Sequence, residues 1–376
     1  MIKQISLITL TLISIISTNI LNAQTHNKED KELREKISQM LIVGFRAMEL
    51  ETSNEIYDLI TKEKIGGVIL FDYDVPSKKS IRNIESPDQL RTLCTELQKA
   101  GNNRLFISID QEGGRVSRLK EKYGFPPTVS QQYLGDNNNK SLTTQWSARA
   151  ASTLKSLGIN LNFTPSVDLN VNPDCPIIGK LERSFSSNPK VIVENAKIVI
   201  QEHKKQGIAT AIKHFPGHGS STSDTHEGIV DVTKTYTEEE LIPFRELIDE
   251  GVVDMVMTSH VFNANFDSLY PATMSYNTLT NKLKLQMEYK GIIISDDMAM
   301  GAISKQYDLE TCLEKAINAG VDMFIFSNNG EKYDKEIGYK AIDTIFQLVK
   351  QGKVKESSIN NSFSKISKLK SEMGLR

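Results

Sequence analysis

The chain has 376 residues, with 45 Lys and Arg against 47 Asp and Glu, so the formal net charge is -2. Hydrophobic residues make up 39% and charged residues 24% of the sequence, which is ordinary for a globular protein. This balance excludes a strongly basic nucleic-acid-binding protein, and no nucleic-acid partner is predicted.

The first two dozen residues differ from the rest of the chain. Lys3 precedes an apolar run from Ile5 to Ile20, and Asn22-Ala23-Gln24 follows it. Because the run is short for a membrane span, residues 1–23 are predicted to be a cleavable signal peptide. We therefore expect export to the periplasm or secretion, with no stable membrane span after cleavage. A retained N-terminal anchor is the alternative interpretation.

Eight short apolar runs rich in Val and Ile recur along the chain, each followed by a longer segment of helical character. The runs are continuous rather than alternating, which is typical of parallel strands covered on both faces. The pattern predicts an α/β fold, a (β/α)8 TIM-type barrel, as one catalytic domain over residues 30–376. The predicted strands are Met40–Phe45, Gly66–Phe71, Leu105–Asp110, Asn160–Leu169, Ile208–His214, Asp254–His260, Gly291–Asp296 and Asp322–Ser327.

Polar residues stand at the ends of five of these runs. A doubly wound sheet is the competing architecture, but its ligand crevice lies at a single switch point of the sheet. In a barrel, all strand ends meet at one face, which suits polar residues spread over five strands. These residues are Asp110, Asp168, Lys213 with His214, Ser259 with His260, and Asp296. Two further helices, Asp334–Lys350 and Ile359–Glu372, are expected to pack outside the barrel.

The segment Lys213–His226 contains three of the six His of the chain, together with a Lys and an Asp. Its Gly and Pro residues disfavour a continuous helix or strand, so it predicts a functional loop rather than a merely solvated one. Asp224 and His226 are two residues apart. If their side chains meet, the carboxylate fixes the imidazole tautomer and favours its protonated form, which gives a proton donor near neutral pH.

Two other segments carry candidate site residues. Asp296 ends an apolar strand, where a carboxylate can act as nucleophile, general base or metal ligand, while Asp297 is more simply a helix cap. Asp110 and Arg118 flank a pair of Gly and can form hydrogen bonds with hydroxyl or carbonyl oxygens of a ligand. Arg183 follows the fourth strand in a similar position.

Six segments, in order, match a known family: Gln39–Phe45, Asp110–Val116, Lys213–His226, Pro271–Ser275, Ser295–Met298 and Ala319–Met323. On these segments the chain resembles the bacterial β-N-acetylglucosaminidases of glycoside hydrolase family 3, in their single-barrel form. The resemblance implies retaining hydrolysis of a terminal β-linked N-acetylhexosamine, with a carbohydrate substrate from cell-wall fragments or other glycans and no cofactor or metal.

The same resemblance assigns roles to residues. Asp296 is the expected nucleophile, and His226 with Asp224 is the expected acid/base dyad, while His218 is expected to shape the loop. The residues expected to hold the terminal sugar are Asp110, Arg118, Arg183, Lys213 and His214. Lys180-Leu181-Glu182 lengthens the spacing before Arg183, which raises the question of whether that side chain is displaced.

Three other functions compete with hydrolysis. A neutral His base tolerates an anionic acceptor, so a phosphorylase is one alternative. A metal-dependent hydrolase would use His214, His218, Asp224 and His226 as ligands, although most of them come from one loop. A non-catalytic sugar-binding barrel is the third, because a fold alone does not imply a reaction.

Overall fold

The computed structural model describes residues 28–225 and 228–375. Eight parallel strands close into a barrel in which each strand pairs with its neighbours in sequence and the last strand pairs with the first. The predicted (β/α)8 barrel is therefore confirmed. The strands are β1 (Leu41–Gly44), β2 (Gly67–Leu70), β3 (Phe106–Ile109), β4 (Leu161–Asn162), β5 (Ala209–Phe215), β6 (Met255–Thr258), β7 (Ile292–Asp297) and β8 (Met323–Phe326).

Helical segments fill every gap between strands, as the spacing predicts. Residues 28–38 form α1 before the first strand. Two π-helical segments lie before β2 and β7, at Leu59–Glu63 and Asn277–Gln286. The remaining α-helices are α2 (Glu55–Asp58), α3 (Pro87–Ala100), α4 (Gln131–Asn137), α5 (Lys140–Leu157), α6 (Pro189–Lys205), α7 (Ile242–Asp249), α8 (Gly301–Ser304), α9 (Leu309–Ala319), α10 (Ile337–Lys350) and α11 (Glu356–Glu372).

The barrel helices begin and end at residues suited to those positions. The Ser86 side chain accepts a hydrogen bond from the Gln89 backbone N–H at the start of α3, and Pro87 occupies the first turn. Asp308 caps α9 in the same way through Thr311, and Gly320 ends α9 with a φ of 113°. Local sequence therefore sets these helix boundaries.

The fourth strand is shorter than predicted. The expected run was Asn160–Leu169, but only Leu161 and Asn162 pair with both neighbouring strands. Pro165 has no backbone N–H for a ladder, and the Ser166 N–H donates to the Gln131 side chain at 3.1 Å instead. Beyond Asn162 the chain pairs with β5 through an isolated bridge between Ser166 and Lys213, and it brings Asp168 to the end of β5.

The two C-terminal helices pack on the barrel, close to their predicted bounds. α10 begins three residues later than expected and α11 three residues earlier. Ile342 and Ile345 are fully buried, as their helical spacing predicts. The predicted signal segment, residues 1–23, lies outside the described residues. Across residues 28–225 and 228–375, no helix combines the length and apolar character needed to cross a membrane.

Candidate active site

A cavity of about 850 Å³ opens at the carboxyl ends of the barrel strands. Asp110 and Arg118 line it from the β3 side, and Asp296 lines it from β7. Apolar side chains of the barrel interior, such as Phe163 and Met257, lie at the same cavity. Three of the predicted site residues thus share one concave space, and the barrel topology brings them together from distant parts of the chain.

Lys213 lies beneath the cavity and joins two carboxylates. Its Nζ is 2.9 Å from Asp110 Oδ1 and 2.6 Å from Glu112 Oε1. Burial disfavours the charged ammonium, but the carboxylates of Asp110 and Glu112 outweigh it and raise the pKa of Lys213. Lys213 is therefore a buried cation that holds Asp110 in place at the cavity wall.

Glu112 continues this network to Arg183. The Arg183 guanidinium donates to both Glu112 oxygens, at 2.9 Å and 2.7 Å, and to the Ile177 carbonyl. Burial alone would raise the pKa of Glu112, but Arg183 and Lys213 hold it well below its usual range. The longer spacing before Arg183 has not displaced it from the other site residues.

His214 is held from both sides of its ring. Arg183 Nη2 lies 3.0 Å from His214 Nε2, and His214 Nδ1 lies 2.6 Å from Asp168 Oδ2. Because the guanidinium can only donate, Nε2 is the acceptor, and we infer that Nδ1 carries the proton toward Asp168. Both ring nitrogens are therefore engaged within the buried network.

Asp168 anchors the end of β5 through the backbone as well. Its Oδ1 accepts hydrogen bonds from the His214 and His218 N–H groups, at 3.1 Å and 2.8 Å. Burial opposes ionisation, but His214 and these hydrogen bonds dominate and lower the pKa of Asp168 to about 2. Asp168 is therefore a fixed anion at the root of the following loop.

Arg118 offers an unused donor beside the cavity. Its Nη2 lies 3.7 Å from Asp110 Oδ2, and its guanidinium carbon lies 5.4 Å from the centre of the Phe71 ring. The Nε is buried and makes no hydrogen bond within the described residues. Because buried donors are usually paired, this one marks a position where the side chain can turn to a ligand oxygen.

The two neighbouring carboxylates at the end of β7 have different partners. Asp296 lines the cavity and accepts the Asp297 N–H at 2.8 Å. Asp297 accepts from the Ala299 and Ser327 N–H groups and from the Ser327 hydroxyl. The carboxylate of Asp297 thus joins the chain after β7 to the chain after β8. The prediction that it caps the following helix is wrong, because Met300 occupies the N-cap position of α8 and no side chain of the described residues caps that helix. Asp296 is half-buried at the cavity wall.

The loop after β5 reaches across the barrel mouth toward β7. His218 Nδ1 lies 2.5 Å from Ser221 Oγ, and its Nε2 lies 3.4 Å from Thr225 Oγ1. Burial, with a contribution from His214, lowers the pKa of His218 to about 4, so its ring is neutral near neutral pH. The Thr225 carbonyl accepts the Ala302 N–H at 3.0 Å. His218 thus shapes the loop, as expected.

Asp224 directly precedes Thr225 and is half-buried. His226, the predicted acid/base residue, lies outside the described residues together with Glu227. Within the described ranges, no group of three or more His, Cys, Asp or Glu side chains has an arrangement that could hold a metal ion.

Three buried carboxylates in and around the site received no role from the sequence. Glu112 belongs to the same motif as Asp110, and a second acid so close to a strand end was the available signal. Asp168 was noted only as a residue near a strand end. Glu240 accepts a hydrogen bond from the Gly219 N–H at 3.0 Å, but it follows two exposed Glu residues, so no local signal separates it from a solvated acidic run.

Comparison with known proteins identifies a matching family and relatives with similar names. Residues 32–369 match the profile described as "Glycosyl hydrolase family 3 N terminal domain". The chain is 32% identical over 343 residues to "Beta-hexosaminidase A" of Pseudoalteromonas piscicida, covering 85% of this chain and 55% of that protein. It is also 32% identical over 314 residues to "Beta-hexosaminidase" of Hydrogenovibrio crunogenus, covering 79% and 84% respectively. The chain therefore spans about half the length of the first relative but most of the second.

Solved structures show the same likeness. A glycoside hydrolase family 3 β-N-acetylglucosaminidase from Paenibacillus sp. str. FPU-7 superposes with a TM-score of 0.81 at 32% identity, covering 91% of this chain and 62% of that one. The β-N-acetylglucosaminidase from Thermotoga maritima gives a TM-score of 0.72 at 27% identity, with coverage of 89% and 66%.

Proposed function

Because the chain belongs to glycosyl hydrolase family 3, we propose that it is a retaining exo-β-N-acetylhexosaminidase. Relatives matched over most of this chain are named beta-hexosaminidase or β-N-acetylglucosaminidase. The observation that carries the proposal is the hydrogen bond between Thr225 and Ala302, at 3.0 Å. It holds Thr225, the neighbour of Asp224, against α8, whose Gly301 lines the cavity together with Asp296. This contact supports a proton donor on that loop.

Substrate binding is proposed for the β3–β5 side of the cavity. Asp110 can accept hydrogen bonds from sugar hydroxyls, and Arg118 can donate to sugar oxygens. Lys213, Arg183 and His214 contribute chiefly by fixing these groups, since their own polar atoms contact Glu112, Asp168 and one another. A site whose polar groups are already oriented loses little entropy when the sugar binds.

Catalysis is proposed to follow the double displacement of retaining glycosidases. The Asp296 carboxylate attacks the anomeric carbon while His226, supported by Asp224, donates a proton to the departing oxygen. The bond from the anomeric carbon to the aglycone breaks, and the sugar becomes an ester of Asp296. Water then attacks the same carbon, gives its proton to His226, and releases Asp296. Both the sugar product and the protein return to their starting charge states.

The hydrolysis of simple aryl glycosides tests the activity. The protein should release nitrophenol from the β-N-acetylglucosaminide and scarcely from the β-glucoside, and equal rates on both would reject the N-acetyl assignment. Proton NMR of the first product should show the β anomer. Adding phosphate should change neither rate nor product, because sugar 1-phosphate would identify a phosphorylase instead.

The proton donor is tested separately by His226→Ala. Loss of a general acid should slow a disaccharide, which has a poor leaving group, far more than the nitrophenyl glycoside. If both substrates slow equally, the acid role of His226 is wrong. Because Lys213 and the remaining network are untouched, substrate affinity should stay close to that of the wild type.

The natural substrate is proposed to be a cell-wall fragment or another glycan outside the cytoplasm. The cavity of about 850 Å³ lies in the upper part of the range of small-molecule sites, which supports a substrate that extends beyond one sugar ring. Product analysis on muropeptides and on chitobiose side by side distinguishes the two glycan classes. Export is tested by cell fractionation, with an N-terminus at Gln24 expected for the exported protein.

A further inference from the structure

Glu240 is a buried acid that holds the root of the loop after β5. It belongs to the short 3-10 turn Glu238–Leu241, in which Glu238 and Glu239 are exposed and Glu240 is fully buried. Its Oε2 accepts hydrogen bonds from the backbone N–H groups of Gly219 and Ser220, at 3.0 Å and 3.3 Å. The carboxylate therefore fixes the main chain of the loop rather than one of its side chains.

The chain around this contact is tightly fitted. Gly217 has a φ of 131°, and a Cβ there would lie 2.7 Å from Glu240 Cβ. A Cβ on Gly219 would lie 1.6 Å from the Leu169 carbonyl oxygen, so the loop root lies directly against the chain that follows β4. The Tyr236 hydroxyl donates to the Pro216 carbonyl at 2.9 Å. These contacts leave the root of the loop little freedom to move. Loss of the Glu240 hydrogen bonds should increase that freedom.

Two carboxylates share the task of holding the root. Asp168 accepts the N–H groups of His214 and His218, and Glu240 accepts those of Gly219 and Ser220. Asp224 and His226 follow only four and six residues after Ser220. The direction in which the chain leaves this root therefore sets where Asp224 lies.

We propose that Glu240 is a positioning residue for the proton-transfer step, which acts through Gly219 and Ser220 on the loop that carries Asp224 and His226. It does not line the substrate cavity. The assignment rests on the proposed function, because it presumes that this loop delivers the proton. An acceptor oxygen at this position is the required feature, since both hydrogen bonds end on Oε2.

The electrostatic surroundings distinguish Glu240 from Asp168. Burial is the largest influence and, together with the negative charge of Asp168, raises the pKa of Glu240 to about 7 against the opposing hydrogen bonds of Gly219 and Ser220. Tyr236 also faces this carboxyl, and burial raises the pKa of its phenol well above the ordinary range, so it stays neutral. A neutral amide oxygen can therefore replace the carboxylate.

Leaving-group dependence provides the first test. Glu240→Ala should lower kcat on chitobiose about tenfold more than on the nitrophenyl glycoside, because a misplaced acid matters most for a poor leaving group. Glu240→Gln keeps the acceptor and should stay within about threefold of wild type on both. Glu239→Ala, on the exposed neighbour, is the matched control and should change neither. Equal slowing of both substrates by Glu240→Ala would overturn the positioning role.

Backbone amide exchange provides a test that does not depend on turnover. The Gly219 and Ser220 amides should exchange faster with solvent deuterium in Glu240→Ala than in wild type or Glu240→Gln. If wild type lacks β-N-acetylhexosaminidase activity, the proposed function fails, and the exchange rates still decide whether Glu240 holds the loop. Should Glu240→Ala not fold, Gly217→Ala displaces the same contact and should reproduce both effects; unchanged exchange and leaving-group dependence would reject the inference.

Discussion

The two halves of the barrel mouth are built for different tasks. On the β3–β5 half, a continuous network of buried ion pairs and hydrogen bonds fixes six side chains before substrate arrives. On the β7 half, Asp296 stands half-buried at the cavity, and its proposed partner comes from a loop. A binding group gains from being immobilised, whereas a nucleophile must remain open to the atom it attacks. The members of the network are Asp110, Glu112, Asp168, Arg183, Lys213 and His214.

Removing the proposed nucleophile should separate chemistry from stability most clearly. Asp296→Ala is expected to lower kcat by about 10⁴-fold or more, because the covalent route is lost. Its carboxylate accepts the adjacent Asp297 N–H at 2.8 Å and lies at the cavity wall rather than in the apolar core. The thermal unfolding midpoint should therefore change little. Residual turnover close to wild type, measured on the nitrophenyl glycoside, would remove Asp296 from the mechanism.

Removing Glu112, at the centre of the network, should instead lower the stability of the folded protein. Glu112→Ala leaves Arg183 buried without its bidentate partner, so the free energy of unfolding should fall by about 3–5 kcal/mol. Denaturant unfolding measures this loss. The control is Glu182→Ala, which removes an exposed carboxylate 3.7 Å from Arg115 and should cost less than about 1 kcal/mol. Equal losses in the two variants would contradict the difference between a buried and an exposed ion pair.

Asp168 connects the two halves, and its charge should affect both. Asp168→Asn weakens the hold on His214 and on the root of the loop, so kcat/KM should fall roughly 10- to 100-fold. The pKa of Asp168 is lowered from 3.8 to about 2, so its ionised form stabilises the folded protein above the ordinary value. That stabilisation is lost as pH falls from 3.8 toward 2. Acid unfolding curves of wild type should show this dependence, and those of Asp168→Asn should lack it.

Glu240 should give the smallest effect on stability, and its pH dependence should have the opposite sign to that of Asp168. Its pKa is raised from 4.5 to about 7, so the folded state binds the proton more tightly than the unfolded state. This contribution to stability is full below pH 4.5 and is lost as pH rises through 7. Glu240→Gln does not titrate, so its unfolding midpoint should gain a few degrees on wild type between about pH 5 and about pH 8. A difference in unfolding midpoint that does not change with pH would contradict the raised pKa of Glu240.

Much of the site was accessible from the sequence because barrel strands end at one face. Asp110 and Asp296 were predicted as strand-end residues, and both line the cavity with Arg118. Lys213 and His214 were also predicted there, but they lie beneath the cavity within the network. The length of β4 was wrong, because Pro165 and the side chain of Gln131 end the ladder early. Apolar character alone does not register either effect.

The sequence by itself determined the number and order of the strands and the capping of several helices, since these depend on residues near one another in the chain. Only the tertiary structure decided which charges meet. Glu112 and Arg183 are 71 residues apart, and Asp110 and Lys213 are 103 apart. A local pattern cannot report a contact over such distances. The closed barrel decides it, because it brings every strand end to one mouth and leaves buried charges no solvent to replace a missing partner.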